Sequence, residues 1–467
     1  MIGSLIRRYR YLVATALFNL AGKLSIRSKI NSVSRDHFEF ILKSGLLWNS
    51  KLNLPLLESS YKSASRDIIK GNYYQGLAKK TEILHEIYSH ANVNFLSHYP
   101  PILHNSWHEN IGHVVSISYL SHAAKLGIVP PGPRLALIGS EVVNHSNSRE
   151  QGRSRQGFVS SAIVSEVSNL PIHSADEWPN ALLLSPLVER SEMVKGCTQF
   201  FEKTHFMHLV LASHYEKSSL PFIEFKFDYE EFCTKYLRDT LGINIKEIWF
   251  CVLHVRESIN ENDTKLSNLS NYLPAISSVI ASGGYVFRIG TGVLSELPKI
   301  PHLFDFSDID DNPNSIYLHA YLIKHCRFMI TTHSGPRALA FALAKPTLSV
   351  NLVGPSQSFF SSPLSLNVPK HYFKGARELS LREVLSSRFG FAETGKGDYF
   401  EDGVTIEENS PQELLEATRE MLALLQSSEP VSLNQTSVQT VFENTNAISR
   451  GVLSSSFANS QGNWYTD

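Results

Sequence analysis

The sequence contains few cysteines and has no excess of charge of either sign. Its 467 residues include four cysteines, and 43 basic residues stand against 44 acidic ones, a formal net charge of −1. Four scattered cysteines exclude a disulfide scaffold and do not match the spacing of a zinc knuckle. The charge balance argues against the basic surface that duplex nucleic acid requires and against an acidic disordered chain. Local groups must therefore meet the charge of any ligand.

The N-terminus lacks an apolar run long enough to cross a membrane. Residues 11–22 are mostly apolar, but about 12 residues cannot span a hydrocarbon core that needs about 20. Basic residues flank this run on both sides, and no small-residue cleavage site follows, which disfavours a secretory signal. The pattern predicts a cationic amphipathic helix over residues 3–26 that lies on an anionic membrane surface. An ordinary first helix packed on the body of the protein explains the pattern equally well.

The chain has enough apolar residues for two domains of ordinary size, since 42% of it is hydrophobic and 10% aromatic. Residues 1–95 are predicted to be helical. Further on, short apolar strands alternate with helices, which predicts an α/β fold with parallel sheets covered on both faces. We expect one α/β domain at residues 96–240 and a second at 241–427. A tail at 428–467, rich in serine, asparagine, glutamine and threonine, is predicted to be disordered.

The first candidate motif follows a predicted strand at residues 247–254. His254 and Arg256 lie two residues apart, so in an extended backbone both side chains point to one side. An arginine at this place can hold a phosphate through two parallel hydrogen bonds. The structural alternative is an ion pair between Arg256 and a carboxylate that stabilises the loop.

The second motif lies between a predicted strand at 327–331 and a predicted helix at 337–344. Pro336 suits the first helical position, which makes Ser334 or Gly335 the cap. Free N–H groups at a helix start favour a bound anion, and Arg337 in the first turn opposes the helix dipole unless an anion binds there. In the structural alternative, the helix is simply capped and His333 is satisfied by its neighbours.

The third motif precedes the first helix of the front domain and reads Trp107-His108-Glu109-Asn110-Ile111-Gly112-His113. Its histidines are five residues apart instead of the four of a zinc-protease helix, so zinc is disfavoured. A glycine turn that carries a histidine and a carboxylate suits proton transfer or hydroxyl binding. A helix-entry turn with a buried histidine is the structural alternative.

Two further patterns carry weaker signals. The run Arg288-Ile289-Gly290-Thr291-Gly292 follows a predicted strand, but Ser295 stands where a dinucleotide fingerprint needs its third glycine, so a nicotinamide cofactor is disfavoured. The acidic run at 308–311 could bind a metal. A solvated loop before a helix explains that acidic run better.

Taken together and in this order, the motifs resemble the glycosyltransferases of bacterial surface-polysaccharide gene clusters, a family with two Rossmann-type domains facing a cleft (the GT-B arrangement). The resemblance covers residues 105–352. It is most specific in HVRES (254–258), NYLPAISSVIASGGYVFRIG (271–290), LFDFS (303–307) and LIKHCRFMITTHSGPRALAFALAKPTLSVN (322–351), and the turn IGH (111–113) resembles the N-terminal signature. The His-x-Arg triplet is more remotely similar to that of fucosyltransferases, in which the arginine holds the donor's diphosphate.

The resemblance implies transfer of a hexosyl or deoxyhexosyl unit from a nucleotide-sugar donor to a glycan or lipid-linked acceptor, with no metal and no cofactor besides the substrate. Candidate donor-binding residues are Arg256, Arg288, His333, Ser334, Gly335 and Arg337. Candidate proton acceptors are His113, Glu109 and His254, and candidate acceptor-binding residues are His108, Asn110 and Gly112. We expect a cytoplasmic protein, with or without attachment to the inner membrane face, and no nucleic-acid partner.

Two other classes of function remain open on the sequence. A nucleotide-sugar epimerase or hydrolase of the same two-domain build would consume the donor with no acceptor present. A non-catalytic protein that binds a glycan or a nucleotide would bind the ligand without turnover.

Overall fold

The structure is a computed structural model, in which the chain divides into two compact units. One consists of residues 1–110 with 119–206, and the other of residues 111–118 with 207–467. The structure describes residues 102–103, 115, 122, 136–138, 172–173, 211, 214–215, 217–223, 227–257, 263–290, 295–307, 315–360, 362, 364–390, 403–427 and 451–460. The predicted helical segment at 1–95, with its membrane-surface helix, lies outside these residues.

The first unit contains a parallel three-stranded sheet. Its strands are β1 (Ile102–Leu103), β2 (Ala136–Ile138) and β3 (Ile172–His173), in that spatial order. Ile102 lies opposite Ala136, and Leu137 lies opposite Ile172. Strand β2 falls within the apolar run that the sequence places before Gly139. Parallel pairing between consecutive strands is consistent with the predicted α/β class.

The second unit is built on a seven-stranded sheet in which every pairing is parallel. Its strands are β4 (Phe250–His254), β5 (Tyr285–Arg288), β6 (Leu303–Asp305), β7 (Phe328–Thr331), β8 (Thr347–Leu352), β9 (Ser365–Pro369) and β13 (Val452–Leu453). Most of their side chains are buried, which explains why the strands are near-continuous apolar runs instead of alternating ones. The predicted α/β class with a parallel sheet is confirmed.

Helices connect these strands. They are α1 (Phe227–Leu241), α2 (Leu273–Ala281), α3 (Ser315–His325), α4 (Gly335–Ala342), α5 (Pro355–Ser358), α6 (Leu381–Ser386), α7 (Pro411–Leu424) and α8 (Ser455–Ser460). Short 3₁₀ helices cover Leu269–Tyr272 and Arg388–Gly390. The sequence predicts one helix over 269–282, whereas the structure has a 3₁₀ turn first, because Pro274 can only occupy the first turn of α2.

The spatial order of the main sheet is β6-β5-β4-β7-β8-β9-β13. The chain starts at β4, runs outward through β5 and β6, and then returns to β7 on the other side of β4. This is the doubly wound order of Rossmann folds, with its reversal between β4 and β7. In such sheets, ligands bind outside the carboxyl ends of the two strands at the reversal.

A small antiparallel sheet accompanies the main one. It is formed by β10 (His371–Lys374), β11 (Arg377–Glu378) and β12 (Val404–Glu407), with β10 in the centre. His371 Nδ1 lies 2.6 Å from Glu378 Oε1, and its Nε2 lies 3.0 Å from Glu413 Oε1 in the first turn of α7. Burial alone would lower the pKa of His371, but the two carboxylates outweigh it and raise this pKa to about 9. The charged imidazole therefore joins the small sheet to α7.

Part of the segment predicted to be disordered is ordered. Strand β13 pairs with β9, so that Val452 lies opposite Leu366. The Glu420 carboxylate accepts hydrogen bonds from the N–H groups of Ser455 and Ser456 at 2.9 and 3.0 Å. The prediction of disorder is therefore wrong for residues 451–460. The local composition of this segment could not show that it is ordered, because contacts with distant parts of the chain hold it in place.

The longer segment of the second unit begins at residue 207, before the domain boundary predicted at 240/241. Helix α1 packs on α3, where Thr234 Oγ1 lies 2.8 Å from the Tyr321 hydroxyl. Phe222 N–H donates to the Ala342 carbonyl at 3.1 Å. The residues just before 241 are therefore part of the second unit's core. Among the described residues, no helix is long and apolar enough to cross a membrane.

Candidate ligand site at the carboxyl ends of β4 and β7

The first two sequence motifs meet at the reversal of the sheet. His254, the last residue of β4, lies opposite Thr331, the last residue of β7. The Thr332 N–H donates to the His254 carbonyl at 3.2 Å, and the Arg256 N–H donates to Thr332 Oγ1 at 3.1 Å. Ser334 Oγ lies 3.0 Å from His254 Nδ1. Residues 80 positions apart in the sequence therefore form one hydrogen-bonded edge.

Helix α4 begins at this edge. Ser334 is its N-cap residue in an extended conformation, Gly335 is the first helical residue and Pro336 the second. The Ser334 side chain makes no capping hydrogen bond with the first turn, because its hydroxyl contacts His254 instead. A helix start whose N–H groups are not taken by the cap residue suits an anionic ligand.

His254 is electrically neutral at physiological pH. Burial and, next, the neighbouring positive charge of Arg256 lower its pKa to about 3. A neutral imidazole can accept or donate a hydrogen bond to the Ser334 hydroxyl, but it brings no positive charge to a ligand. The role that the geometry favours for His254 is to orient Ser334.

Arg256 forms an ion pair with Asp263. The distances from Arg256 Nε and Nη2 to Asp263 Oδ2 are both 2.7 Å. Burial raises the pKa of Asp263, but the Lys265 N–H and the Arg256 guanidinium outweigh this and leave the pKa lowered. The ion pair that the sequence offered as the structural alternative is present, yet the Arg256 side chain remains 38% exposed. Its predicted role in ligand binding therefore stays a prediction that the geometry permits.

Arg288 lies at the end of β5, and its side chain is 1% exposed. Its guanidinium pairs with Glu257, with Asp305 at 3.0 Å and with the Ser295 carbonyl at 2.6 Å. It thus ties together the segments that follow β4 and β5 and the last residue of β6. These contacts favour a structural role, and the predicted donor-binding role of Arg288 has no support in them.

Arg337 is also buried, at 3% exposure. Its Nη1 donates to the Ser358 carbonyl at 3.0 Å, and its guanidinium lies over the Phe360 ring at 4.9 Å. The sequence placed this cation at the start of α4 to meet an anion. In the structure, the Arg337 side chain instead packs between α4 and α5. This packing favours a structural role for Arg337 as well.

Two of the remaining predicted site residues lie near the edge formed by β4 and β7, and the others lie outside the described residues. His333 lies in the turn between β7 and α4, Gly335 is the first residue of α4, and both are half-buried. His108, Glu109, Asn110, Gly112 and His113 lie outside the described residues, so their predicted roles stay predictions. No group of three or more metal-ligating side chains occurs within the part of the chain that the structure describes.

Sequence reasoning missed the partners of the arginines. Thr332 adjoins the predicted motif, and Glu257 directly follows Arg256, but neither was given a role. Asp263 and Asp305 lie 7 and 17 residues from the arginines they contact. The available signal was an acidic residue at or shortly after the ends of β4 and β6, the two strands that flank β5, since the carboxyl ends of parallel strands meet at one edge.

Comparison with known proteins finds few relatives. No family model matches the chain, and no curated protein matches it. Among solved structures, it is similar to a family 9 glycosyl transferase from Veillonella parvula DSM 2008, with 12% identity, 69% of this chain and 97% of that chain covered, and a TM-score of 0.36. It is also similar to the E. coli heptosyltransferase WaaC with ADP-2-deoxy-2-fluoro heptose, with 10% identity, coverage of 57% and 92%, and a TM-score of 0.27. At these identities and TM-scores, neither neighbour assigns an activity to this chain.

Proposed function

We propose that this protein is a glycosyltransferase that moves a sugar from a nucleotide-sugar to a glycan or lipid-linked acceptor in surface-polysaccharide synthesis. The donor's diphosphate binds at the carboxyl ends of β4 and β7. The observation that carries the proposal is the junction of the His254–Arg256 motif with the start of α4 at the reversal of the sheet. The resemblance of the same two motifs to the surface-polysaccharide glycosyltransferases supports the same reading.

The groups at this edge suit a departing diphosphate. As the bond between the sugar and the diphosphate breaks, negative charge grows on the leaving phosphate oxygen and must be stabilised by fixed donors. Arg256 supplies a charged donor, and the first N–H groups of α4 supply neutral ones along the helix dipole. Ser334, held by His254, adds a hydroxyl. Arg288 and Arg337 support this arrangement from the interior and are left out of the proposed donor contacts.

The acceptor side rests on residues outside the described part of the chain. In the proposal, His113 takes the proton of the acceptor hydroxyl, or Glu109 does so in its place. His254 is a weaker candidate for this proton, because its low pKa makes it a poor base at neutral pH.

A ligand panel tests the donor site. Thermal denaturation is followed with UDP-, GDP- and CMP-sugars, since a ligand at 100 times its Kd stabilises the folded state by about 2.7 kcal/mol. We expect one nucleotide class to raise the Tm of the wild type and to raise that of Arg256→Ala much less. Arg238→Ala is the matched control, because Arg238 is an exposed, ion-paired arginine near the end of α1. Equal shifts in wild type and Arg256→Ala would refute the proposed site.

The rival functions are separated by turnover. Donor consumed at the same rate with and without acceptor would indicate an epimerase or hydrolase. Donor binding with no turnover for any acceptor in the panel would indicate a binding protein. Transfer that needs an acceptor, and that falls roughly 10²–10³-fold in Arg256→Ala, supports the glycosyltransferase.

A further inference from the structure

Residues 263–267 contact the end of β4 and hold Arg256 in place. The Ser267 N–H donates to the Arg256 carbonyl at 2.9 Å, while the Arg256 N–H is bound by Thr332. Within the same segment, the Leu266 N–H donates to the Asp263 carbonyl at 3.1 Å. Both the backbone of Arg256 and that of its carboxylate partner are therefore fixed.

The two carboxylate oxygens of Asp263 have separate partners. Oδ1 accepts the Lys265 N–H at 2.9 Å. Oδ2 alone receives Arg256 Nε and Nη2, both at 2.7 Å. One oxygen of the carboxylate thus binds one edge of the guanidinium. The hydrogen bond from the Lys265 N–H to the other oxygen fixes the orientation of the carboxylate.

The opposite edge of the guanidinium has no partner among the described residues. A guanidinium carries five N–H groups in a rigid plane, and its Nη1–Nη2 edge matches two oxygens of a phosphate. No hydrogen bond or ion pair from Arg256 Nη1 is made to any residue that the structure describes. The side chain of Arg256 is also 38% exposed, against 18% for Asp263.

We propose that Asp263 is a positioning residue that holds Arg256 by its Nε edge, so that the Nη1–Nη2 edge is presented to a phosphate of the donor. The inference rests on the proposed function and deepens it. An arginine free to rotate would have to be ordered when the ligand binds, which costs affinity. Asp263 orders it beforehand.

A competing explanation makes Asp263 a substitute for the phosphate, which the ligand must displace. A substitute of that kind would occupy the Nη1–Nη2 edge with both of its oxygens. Asp263 instead uses one oxygen, and it uses the Nε edge. The two explanations predict opposite effects when the carboxylate is neutralised.

The test is Asp263→Asn, with affinities for UDP, GDP, CMP and inorganic pyrophosphate measured by calorimetry. Removing a negative charge next to Arg256 would strengthen anion binding if charge alone mattered. Lys265 and Arg256 donate to different oxygens of Asp263, and asparagine has an NH2 group in place of one of these oxygens. One of the two contacts must therefore be lost, and the positioning role predicts affinity weaker by about threefold to tenfold. Asp239→Asn, which removes a carboxylate beside the exposed Arg238, is the matched control and should bind as the wild type does.

A double-mutant cycle separates positioning from a general structural effect. In the Arg256→Ala background, Asp263→Asn should have no further effect on affinity, because it acts only through Arg256. The same loss in both backgrounds, unchanged affinity of Asp263→Asn, or tighter binding would each overturn the inference while leaving the proposed function standing. If the wild type binds none of the four probes, the proposed function fails and the inference fails with it.

Discussion

Two arginines near the carboxyl ends of adjacent strands are used in opposite ways. Arg256, just after β4, is 38% exposed, and one aspartate holds it along one edge. Arg288, at the end of β5, is 1% exposed and is surrounded by Glu257, Asp305 and the Ser295 carbonyl. One guanidinium therefore has an edge with no partner among the described residues, whereas the other joins three strand ends.

The comparison shows that position at the ligand edge of a sheet does not by itself make a binding residue. Both arginines stand where the fold rule places ligand groups. Burial and the number of carboxylate partners decide between the two roles. A buried guanidinium with two carboxylates is already neutralised, and detaching it would leave uncompensated charges in the interior.

The largest expected difference is in stability. Arg288→Met should lower the free energy of unfolding by about 3–5 kcal/mol, because it leaves the Glu257 carboxylate buried without its partner. Arg256→Met should lower it by only about 1 kcal/mol, because this ion pair is partly exposed and water can solvate the Asp263 carboxylate once its partner is removed. Urea denaturation of the two variants checks this. Equal losses would mean that the contrast between the two arginines is false.

A third cationic group, His371, should make the stability of the fold depend on pH, which the two arginines do not. His371 has a folded-state pKa of about 9, above the value of about 6.5 expected in the unfolded chain. The contribution of His371 to the free energy of unfolding is therefore complete below about pH 6.5. This contribution is lost as the pH rises toward 9, at up to about 1.4 kcal/mol per pH unit. Urea denaturation between pH 6 and 8.5 should show this slope in the wild type.

The control for that slope is His371→Gln, which should show a smaller dependence on pH over the same range. The range stops at about pH 8.5 because cysteine thiols of the unfolded chain ionise above it. Burial raises the pKa of Cys326 in the folded state to about 12, so this thiol adds a slope of its own at higher pH. Identical slopes in wild type and His371→Gln would contradict the ion pairs assigned to His371.

The smallest expected effect concerns His254. Its pKa of about 3 keeps it neutral from pH 5 to 8. The ratio of nucleotide affinities between wild type and His254→Gln should therefore be constant over this range, whatever the loss that His254→Gln causes. A ratio that grows as the pH falls through 6.5 would mean that His254 becomes charged and contacts the ligand as a cation.

Local patterns predicted much of the second unit. Apolar runs predicted β5 and β7, and Ser334 was one of the two cap residues expected for α4. The sequence also predicts that the motif at residues 254–256 and the motif at residues 333–337 follow strands, and the structure brings the two motifs to one edge. These successes rest on signals within a few residues of each element.

Long-range pairing could not be predicted in the same way. The partners of Arg288 come from the segments after β4 and β5 and from the last residue of β6, and β13 pairs with β9 across 86 residues of sequence, from Leu366 to Val452. The serine-rich composition around β13 predicts disorder, since no local pattern records the acceptor that Glu420 provides. The order of the strands in the sheet decides which carboxylate neutralises which arginine. This order cannot be predicted from the pattern of residues within each strand.

Hydrogen exchange with and without nucleotide tests the central claim most directly. The wild type is labelled in the presence of the UDP-, GDP- or CMP-sugar that raises its Tm, and exchange is followed by mass spectrometry. We predict slower exchange in the peptides that carry residues 254–257 and 332–337, and unchanged exchange in those that carry 365–374. Slower exchange confined to other parts of the chain, with both of these segments unaffected, would contradict a donor site at the ends of β4 and β7.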